Sequence, residues 1–222
     1  QAEGNNVRCP EPLAAEAMEA CIREATKDRD TLGGLFEVVA LGVPPGLGSH
    51  VHWDRRLDAR LMFAVGSIQA VKGVEIGPAF ENARKRGTEV HDEICVQDSS
   101  LTRQTNRAGG FEGGITTGQP IVVRAAMKPI ATTLTPLPSV DLASGEPEAT
   151  RYERSDICAV PRAAVVGEAM LAFVLADALL EKLGGDSIDE MRPRFQALQR
   201  GNLSELEMDN VPWRFSGQEP PA

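Results

Sequence analysis

One segment of the sequence constrains the fold more than any other. Residues 163–175 are apolar at nearly every position, Pro161 stands just before them, and Gly184 and Gly185 follow a few residues later. Proline suits the first turn of a helix and glycine suits the position after its end, so the segment predicts one long helix. A helix that is apolar on all sides must be covered by other elements, so we expect it at the centre of the fold.

Composition excludes several classes of protein. The longest unbroken apolar run, residues 169–176, is far shorter than the roughly 20 residues that cross a bilayer, so no membrane segment is expected. The first residues lack the basic and apolar pattern of a secretory signal. A formal charge of -9 argues against a generic nucleic-acid binder, which needs a basic face. Four cysteines without a C-x-x-C pair favour a reducing, cytoplasmic location.

The remaining periodicity predicts a mixture of helices and strands. Helical spacing is found over residues 11–27, from the N-cap candidate Asp54 onward, and over residues 187–198. The polar residues 87–107 are expected to form a mobile loop. Apolar runs predict three strands, at residues 35–43, 71–76 and 120–128.

Cations cluster at several places in an otherwise acidic chain. In the strand predicted at residues 120–128, alternation directs Arg124 and Lys128 to the same face, which is unusual for a strand. Clusters of this kind are candidates for holding an anion. The candidates are Arg55, Arg56 and Arg60, then Arg124 and Lys128, and finally Arg151 and Arg154.

Three histidines raise the possibility of a metal site. His50 and His52 would point the same way on a strand, and His91 could be a third ligand. With Asp54 they would suit a metal-dependent hydrolase. The alternative is packed or hydrogen-bonded histidines, because the spacing supplies only two ligands where about four are needed, and nothing fixes His91 near the others.

A glycine cluster at residues 109–118 is a denser signal. Glycines adopt positive φ and let backbone amides approach a flat or anionic ligand. The spacing fits neither the dinucleotide-binding nor the P-loop pattern. A glycine-rich turn leading into a strand is the alternative interpretation.

Two charged segments follow the last predicted strand. Lys128 stands at the strand end, where Pro129 stops the ladder and leaves amides and the Thr132 hydroxyl available to phosphate, unless this is simply a solvated strand end. Further on, Arg154 could bind an anion while Asp156 accepts or positions a proton. An ion-paired approach to the long helix explains the second segment equally well.

Together, these stretches resemble the chorismate synthase family. The resemblance covers nearly the whole chain except its C-terminal tail. It implies an α+β fold in which antiparallel sheets sandwich helices, with residues 1–200 as the C-terminal portion of the family's domain and 201–222 as a Pro-rich, flexible tail. The stretches occur in the family's order at residues 41–60, SIQAVKGVEIG at 67–77, HDEI at 91–94, residues 107–142 and residues 153–186.

The resemblance also implies a reaction. Members of the family eliminate phosphate from 5-enolpyruvylshikimate 3-phosphate in a 1,4-anti sense and release chorismate, and they require reduced FMN although nothing is oxidised overall. The parent enzyme is expected to be a homotetramer. Whether the parent enzyme uses NADP to reduce its own flavin stays open.

Site residues carry over from the family position by position. Asp156 matches an aspartate near the flavin that assists proton transfer, and Gln69 stands where some relatives have Asn. The family's two catalytic histidines belong to an N-terminal half without a counterpart here, and His50, His52 and His91 do not match them. An inactive fragment that binds flavin or oligomerises is therefore the alternative to a working lyase. The implied flavin contacts are Gln69, Ala70, Gly113, Lys128, Pro129, Ile130, Ala131, Thr132 and Arg154.

Overall fold

The computed structural model describes residues 2–198 and 202–205, so most of the tail predicted at 201–222 lies outside the described residues. The helices are α1 (Pro12–Lys27), α2 (Leu57–Gly66), α3 (Ala79–Asn82), α4 (Gly87–Val90), α5 (Val160–Leu183) and α6 (Ile188–Gln196). The strands are β1 (Gly34–Ala40), β2 (Val71–Ile76), β3 (Ile94–Gln97), β4 (Ser100–Arg103), β5 (Phe111–Glu112), β6 (Ile115–Thr116), β7 (Ile121–Met127), β8 (Pro138–Val140) and β9 (Pro147–Ala149).

The main sheet has three antiparallel strands in the order β1-β7-β2. Strand β7 is central, and Val123 pairs with Val38 on one side and with Ile76 on the other. Alternate β7 residues, Ile121, Val123 and Ala125, are almost completely buried on one face. Three two-stranded antiparallel hairpins complete the strands of the described region, so the expected α+β fold with antiparallel sheets is confirmed.

Helices α2 and α5 cover the buried face of this sheet and pack against each other. The predicted apolar stripe of α2 is confirmed, since Leu57, Leu61 and Val65 are fully buried there. They join the buried β7 residues in one core cluster. The core therefore lies between two helices and one sheet, as the spacing of apolar residues along each helix and strand requires.

Helix α5 forms as predicted from its proline and glycine boundaries, but only one of its sides is covered. Gly167 and Leu171 are buried against the sheet and α2. On the opposite side a second apolar stripe faces outward, and Phe173 is 74% exposed. The expectation of a central helix is thus met on one side only within the part of the chain that the structure describes. The exposed stripe consists of Val165, Val166, Phe173 and Leu180.

Among the described residues, α5 is the one helix that is long and apolar enough to cross a membrane. The core helix of a soluble protein passes the same test, and α5 packs against β1 and α2 on one side. The absence of a membrane segment stays a prediction.

Two details of the secondary structure differ from expectation. Residues 87–107 are not an irregular loop, because they form helix α4 and the hairpin β3–β4. Asp54 is not an N-cap, because it lies inside a short 3-10 helix, Trp53–Arg55. Helix α2 begins only at Leu57, whose backbone N–H donates to the Gly114 carbonyl at 3.0 Å. A contact from a distant glycine turn therefore sets this helix start.

Substitutions in α2 test this core. We expect Leu61→Ala to lower the free energy of unfolding by about 2–5 kcal/mol, because it leaves a cavity among fully buried side chains. Phe63→Ala in the same helix removes a side chain that is 80% exposed and should change it by no more than about 0.5 kcal/mol. Urea unfolding of both variants makes the comparison, and equal losses would contradict the described packing.

Candidate functional site

Most of the predicted site residues lie where β7 ends. Lys128 follows the strand, and its backbone N–H donates to the Ala70 carbonyl at 2.9 Å, which fastens the strand end to the turn between α2 and β2. Ala70 has a φ of +67°, a conformation that costs a residue with a Cβ roughly 1–2 kcal/mol. Gly33 packs so closely from β1's side that a Cβ there would lie 2.8 Å from the Pro129 nitrogen. The Lys128 turn is thus held on both sides.

Hydrogen bonds carry this edge on to the segment before α5. The Thr31 hydroxyl donates to the Ile130 carbonyl at 2.7 Å. The Thr132 hydroxyl lies 3.1 Å from the Ser155 hydroxyl, which also donates to the Thr132 carbonyl at 3.2 Å. Ser155 stands between Arg154 and Asp156 in the sequence. The fold therefore gathers Gln69, Ala70, Lys128, Pro129, Ile130, Ala131, Thr132, Arg154 and Asp156 at one edge of the molecule.

Two cations at this edge have no acidic partner. Lys128 and Arg154 are both exposed, and no carboxylate of residues 2–198 or 202–205 forms an ion pair with either. Positive charges without an acidic partner can bind phosphate oxygens. This pair keeps the anion-binding capacity that the sequence suggested.

The other cationic candidates do not keep that capacity. Arg124 lies in one row across the sheet with Glu37 and Glu75 and pairs with both carboxylates. The face of β7 expected to be cationic is therefore neutralised. In the remaining clusters, acidic partners are found for Arg55 (Glu181), Arg56 (Asp58), Arg60 (Asp177 and Glu181) and Arg151 (Glu148).

Asp156 forms an ion pair at the start of α5, as the alternative interpretation of this segment expected. Its carboxylate accepts a hydrogen bond from Arg162 in the first turn of α5, with no bond to Arg154 among the described contacts. It also lines a cleft of about 410 Å³ together with Glu19 and Arg23 of α1. The sequence did not predict that these two α1 residues line a cleft, because a Glu and an Arg on a helix of mixed charge are typical of a solvent-exposed surface.

Gly113 is not part of this cluster. It connects β5 and β6, beside Gly114, whose carbonyl bonds to the first residue of α2. Ala70 follows the other end of α2, and ten helical residues span about 15 Å. Along β7 the separation from Lys128 is about 20 Å by the same reasoning. The fold thus separates Gly113 from the other predicted flavin contacts.

The histidines do not form the metal site that one interpretation required. His50 and His52 lie in a bend rather than on a strand, and His52 Nδ1 is 3.0 Å from the Asp54 carboxylate. Within the described residues, no group of three His, Cys, Asp or Glu side chains is arranged to hold a metal ion. The hydrolase interpretation therefore has no geometric support.

Sequence reasoning also missed Asp92, which lies in the segment expected to be mobile. It is only 8% exposed, and its carboxylate accepts hydrogen bonds from the Thr105 hydroxyl and from the N–H groups of Arg107 (2.7 Å) and Ala108 (2.8 Å). Burial works to raise the pKa of Asp92, but these hydrogen bonds favour the charged form and hold the pKa below its usual value. Within a polar stretch, a single Asp gave no signal for this role.

Comparison with known proteins decides the family. A family model described as chorismate synthase matches residues 1–180. The chain is 57% identical over 195 residues to the chorismate synthase of Acidothermus cellulolyticus, covering 88% of this chain and 50% of that one. The chain belongs to the chorismate synthase family.

Further chorismate synthases agree. The protein from Desulforudis audaxviator is 60% identical over 188 residues, which is 84% of this chain and 48% of the relative. A crystal structure of chorismate synthase superimposes with a TM-score of 0.74 at 52% identity, covering 88% of this chain and 51% of that one. The chain spans about half the length of the curated chorismate synthases it matches.

Asp92 generates a test of the site's scaffold. Because its pKa is lowered on folding, its ionised form stabilises the fold above the unfolded value of about 3.9, and this stability is lost as pH falls through the folded value. We expect Asp92→Asn to lower the free energy of unfolding by about 1.5–3 kcal/mol at pH 7 and by progressively less towards pH 3. Urea midpoints across this pH range measure the difference.

The exposed neighbour Glu93 provides the control, since Glu93→Gln should change the midpoint little at any pH. A cost of Asp92→Asn that stays constant down to pH 3 would contradict the charged, hydrogen-bonded state.

Proposed function

We propose that this chain supplies the flavin-binding and phosphate-binding part of a chorismate synthase. The whole enzyme would eliminate phosphate from 5-enolpyruvylshikimate 3-phosphate to give chorismate. One observation carries the proposal. Among the residues that the structure describes, Lys128 and Arg154 have no acidic partner, and they lie at an edge where Ala70 and Thr132 are hydrogen-bonded into place. Family membership supplies the reaction, and this edge supplies a place for its anionic groups.

The residues at the edge suit reduced FMN. The Lys128 ammonium would bind phosphoryl oxygens, and Arg154 would add a second positive charge on the same side. The backbone at Gln69 and Ala70, fixed by the bond to Lys128, would approach the cofactor closely. When bound, reduced FMN supplies transient electron density that helps the phosphate depart. The role of this chain is to hold and neutralise charge.

Asp156 is the proposed proton acceptor. An elimination of phosphate also removes a proton from the substrate carbon, and a carboxylate near the cofactor can accept it. The hydrogen bond from Arg162 orients the Asp156 carboxylate. Arg162 thus acts on the reaction only through Asp156.

Gly113 needs a separate account, because it lies about 15–20 Å from Ala70 and Lys128 in the same chain. We propose that a second copy brings its Gly113 to the flavin, in the homotetramer that the family implies for the parent. Flavin bound to a strictly monomeric chain with unchanged affinity in Gly113→Glu would contradict this.

The proposed cytoplasmic location rests on the family and on the free cysteines alone.

A titration tests the flavin site. We expect Lys128→Met to raise the Kd for reduced FMN by roughly tenfold or more, because about 1.5–3 kcal/mol of charge-assisted hydrogen bonding is lost. Anaerobic flavin fluorescence or calorimetry measures the Kd. The matched control is Lys85→Met, which breaks only an exposed pair with Glu81 and should leave the Kd unchanged. Equal Kd values for both variants would remove Lys128 from the site.

A second candidate function is a noncatalytic module that binds flavin or oligomerises. The exposed apolar stripe on α5 and the half-length match to the relatives favour it. Monomeric proteins rarely expose such a stripe, so it is a natural contact for the rest of the family's fold.

Turnover separates the two candidates. We expect no chorismate from this chain alone and measurable chorismate once the unmatched segment of the Acidothermus cellulolyticus enzyme is added as a separate polypeptide. Anaerobic assays with reduced FMN make the measurement. Full activity of the chain alone would exclude the noncatalytic module.

A further inference from the structure

The hairpin that presents Gly113 is attached to the polar segment that precedes it. We call residues 110–117 the glycine hairpin; it contains β5, the Gly113–Gly114 turn and β6. Its base is closed by Thr117 N–H, which donates to the Gly110 carbonyl at 3.0 Å. Gly109, directly before the hairpin, accepts a hydrogen bond from Val122 N–H of β7 at 3.2 Å, which fixes this end of the hairpin to the strand. The position of the turn depends on contacts further out.

Arg103 supplies one of these outer contacts. Its side chain is only 15% exposed, and one guanidinium nitrogen donates to the Glu112 carboxylate at 2.8 Å. The other terminal nitrogen donates to the backbone carbonyl of Asp92 at 3.2 Å. Glu112 is the residue directly before Gly113, so a half-buried charge pair sits beside the turn. On the other side, Leu57 N–H holds Gly114.

Asp92 fixes the other end of this connection. Its carboxylate binds the Thr105 hydroxyl and two successive backbone amides, at Arg107 and Ala108. These residues lead into Gly109, which packs so closely on Gly77 that a Cβ on Gly109 would lie 2.8 Å from the Gly77 Cα. A carboxylate this buried with three donors is a rigid anchor.

We infer that Asp92 and Arg103 are positioning residues, which together hold the Gly113 turn of the glycine hairpin in place. Neither is among the proposed flavin contacts. Their consequence for flavin rests on the proposed function, because only that proposal assigns Gly113 to the cofactor. The segment 92–108 is then a clamp on the turn, which explains why an otherwise polar stretch contains a buried acid and a partly buried arginine.

Amide hydrogen exchange tests the clamp without any ligand. In Arg103→Met we expect amides of the glycine hairpin to exchange at least about tenfold faster, since charge-assisted bonding is lost locally, and amides of β1 to change less than about threefold. Asp92→Asn should give the same pattern, and Arg103→Lys should restore part of the protection. Unchanged hairpin exchange in both clamp variants would overturn the inference.

Two controls keep local and global effects apart. Arg194→Met removes a comparable side-chain bond to the Leu183 carbonyl, and Asp141→Asn removes a carboxylate that accepts amide bonds from Ala143 and Ser144. Both should leave hairpin exchange unchanged. Faster exchange of the hairpin and of β1 alike in Arg103→Met, Asp92→Asn and the controls would mean general destabilisation and would also overturn the inference.

Flavin affinity then links the clamp to the proposed function. With wild-type binding established, Arg103→Met should raise the Kd for reduced FMN several-fold, and Arg103→Lys should restore part of it. A faster-exchanging hairpin with an unchanged Kd would show that the turn does not serve the flavin. Failure of the wild-type chain to bind FMN would instead overturn the proposed function, while the exchange rates would still decide the clamp.

Discussion

Strand β7 exchanges backbone hydrogen bonds with a neighbour on each side, and most of this molecule depends on that double pairing. Its buried residues form the floor on which α2 and α5 pack. The strand starts beside the glycine hairpin and ends at the Lys128 turn. Because a paired strand is rigid over its whole length, it fixes the distance between these two groups of proposed contacts at about 20 Å.

We propose that the two ends of the strand have separate roles. At the end with Lys128, strain at Ala70, close packing at Gly33 and the bonds of Thr132 to Ser155 hold the backbone, while two cations have no acidic partner among the described residues. At the other end, Asp92 and the partly buried Arg103 hold the glycine turn. The first end would bind an anion through side chains, and the second would present backbone to the cofactor.

Sequence patterns predicted what depends on local periodicity. Pro161 with Gly184 bounded α5, and the spacing of Leu57, Leu61 and Val65 gave the buried stripe of α2. Patterns failed where distant residues decide. The start of α2 at Leu57 depends on Gly114, and the neutralisation of Arg124 depends on strand register, which brings Glu37 and Glu75 into one row.

The same distinction explains the site. The sequence correctly indicated that Lys128 lies at the end of a strand and that Arg154 precedes a helix. Only the fold shows that the two segments are joined by hydrogen bonds between Thr132 and Ser155. The order within residues 87–107 could not be predicted, because a buried Asp92 satisfied by backbone amides has no periodic signature. The exposed stripe on α5 likewise could not be predicted, because an all-apolar helix does not indicate which of its faces the rest of the chain covers.

A crystal structure of this chain with reduced FMN tests the central claim most directly. The account predicts a phosphate group of the bound molecule within hydrogen-bonding distance of the Lys128 ammonium, with Arg154 on the same side and the Ala70 turn against the cofactor. Flavin bound away from this edge, with Lys128 and Arg154 both facing solvent, would contradict the account.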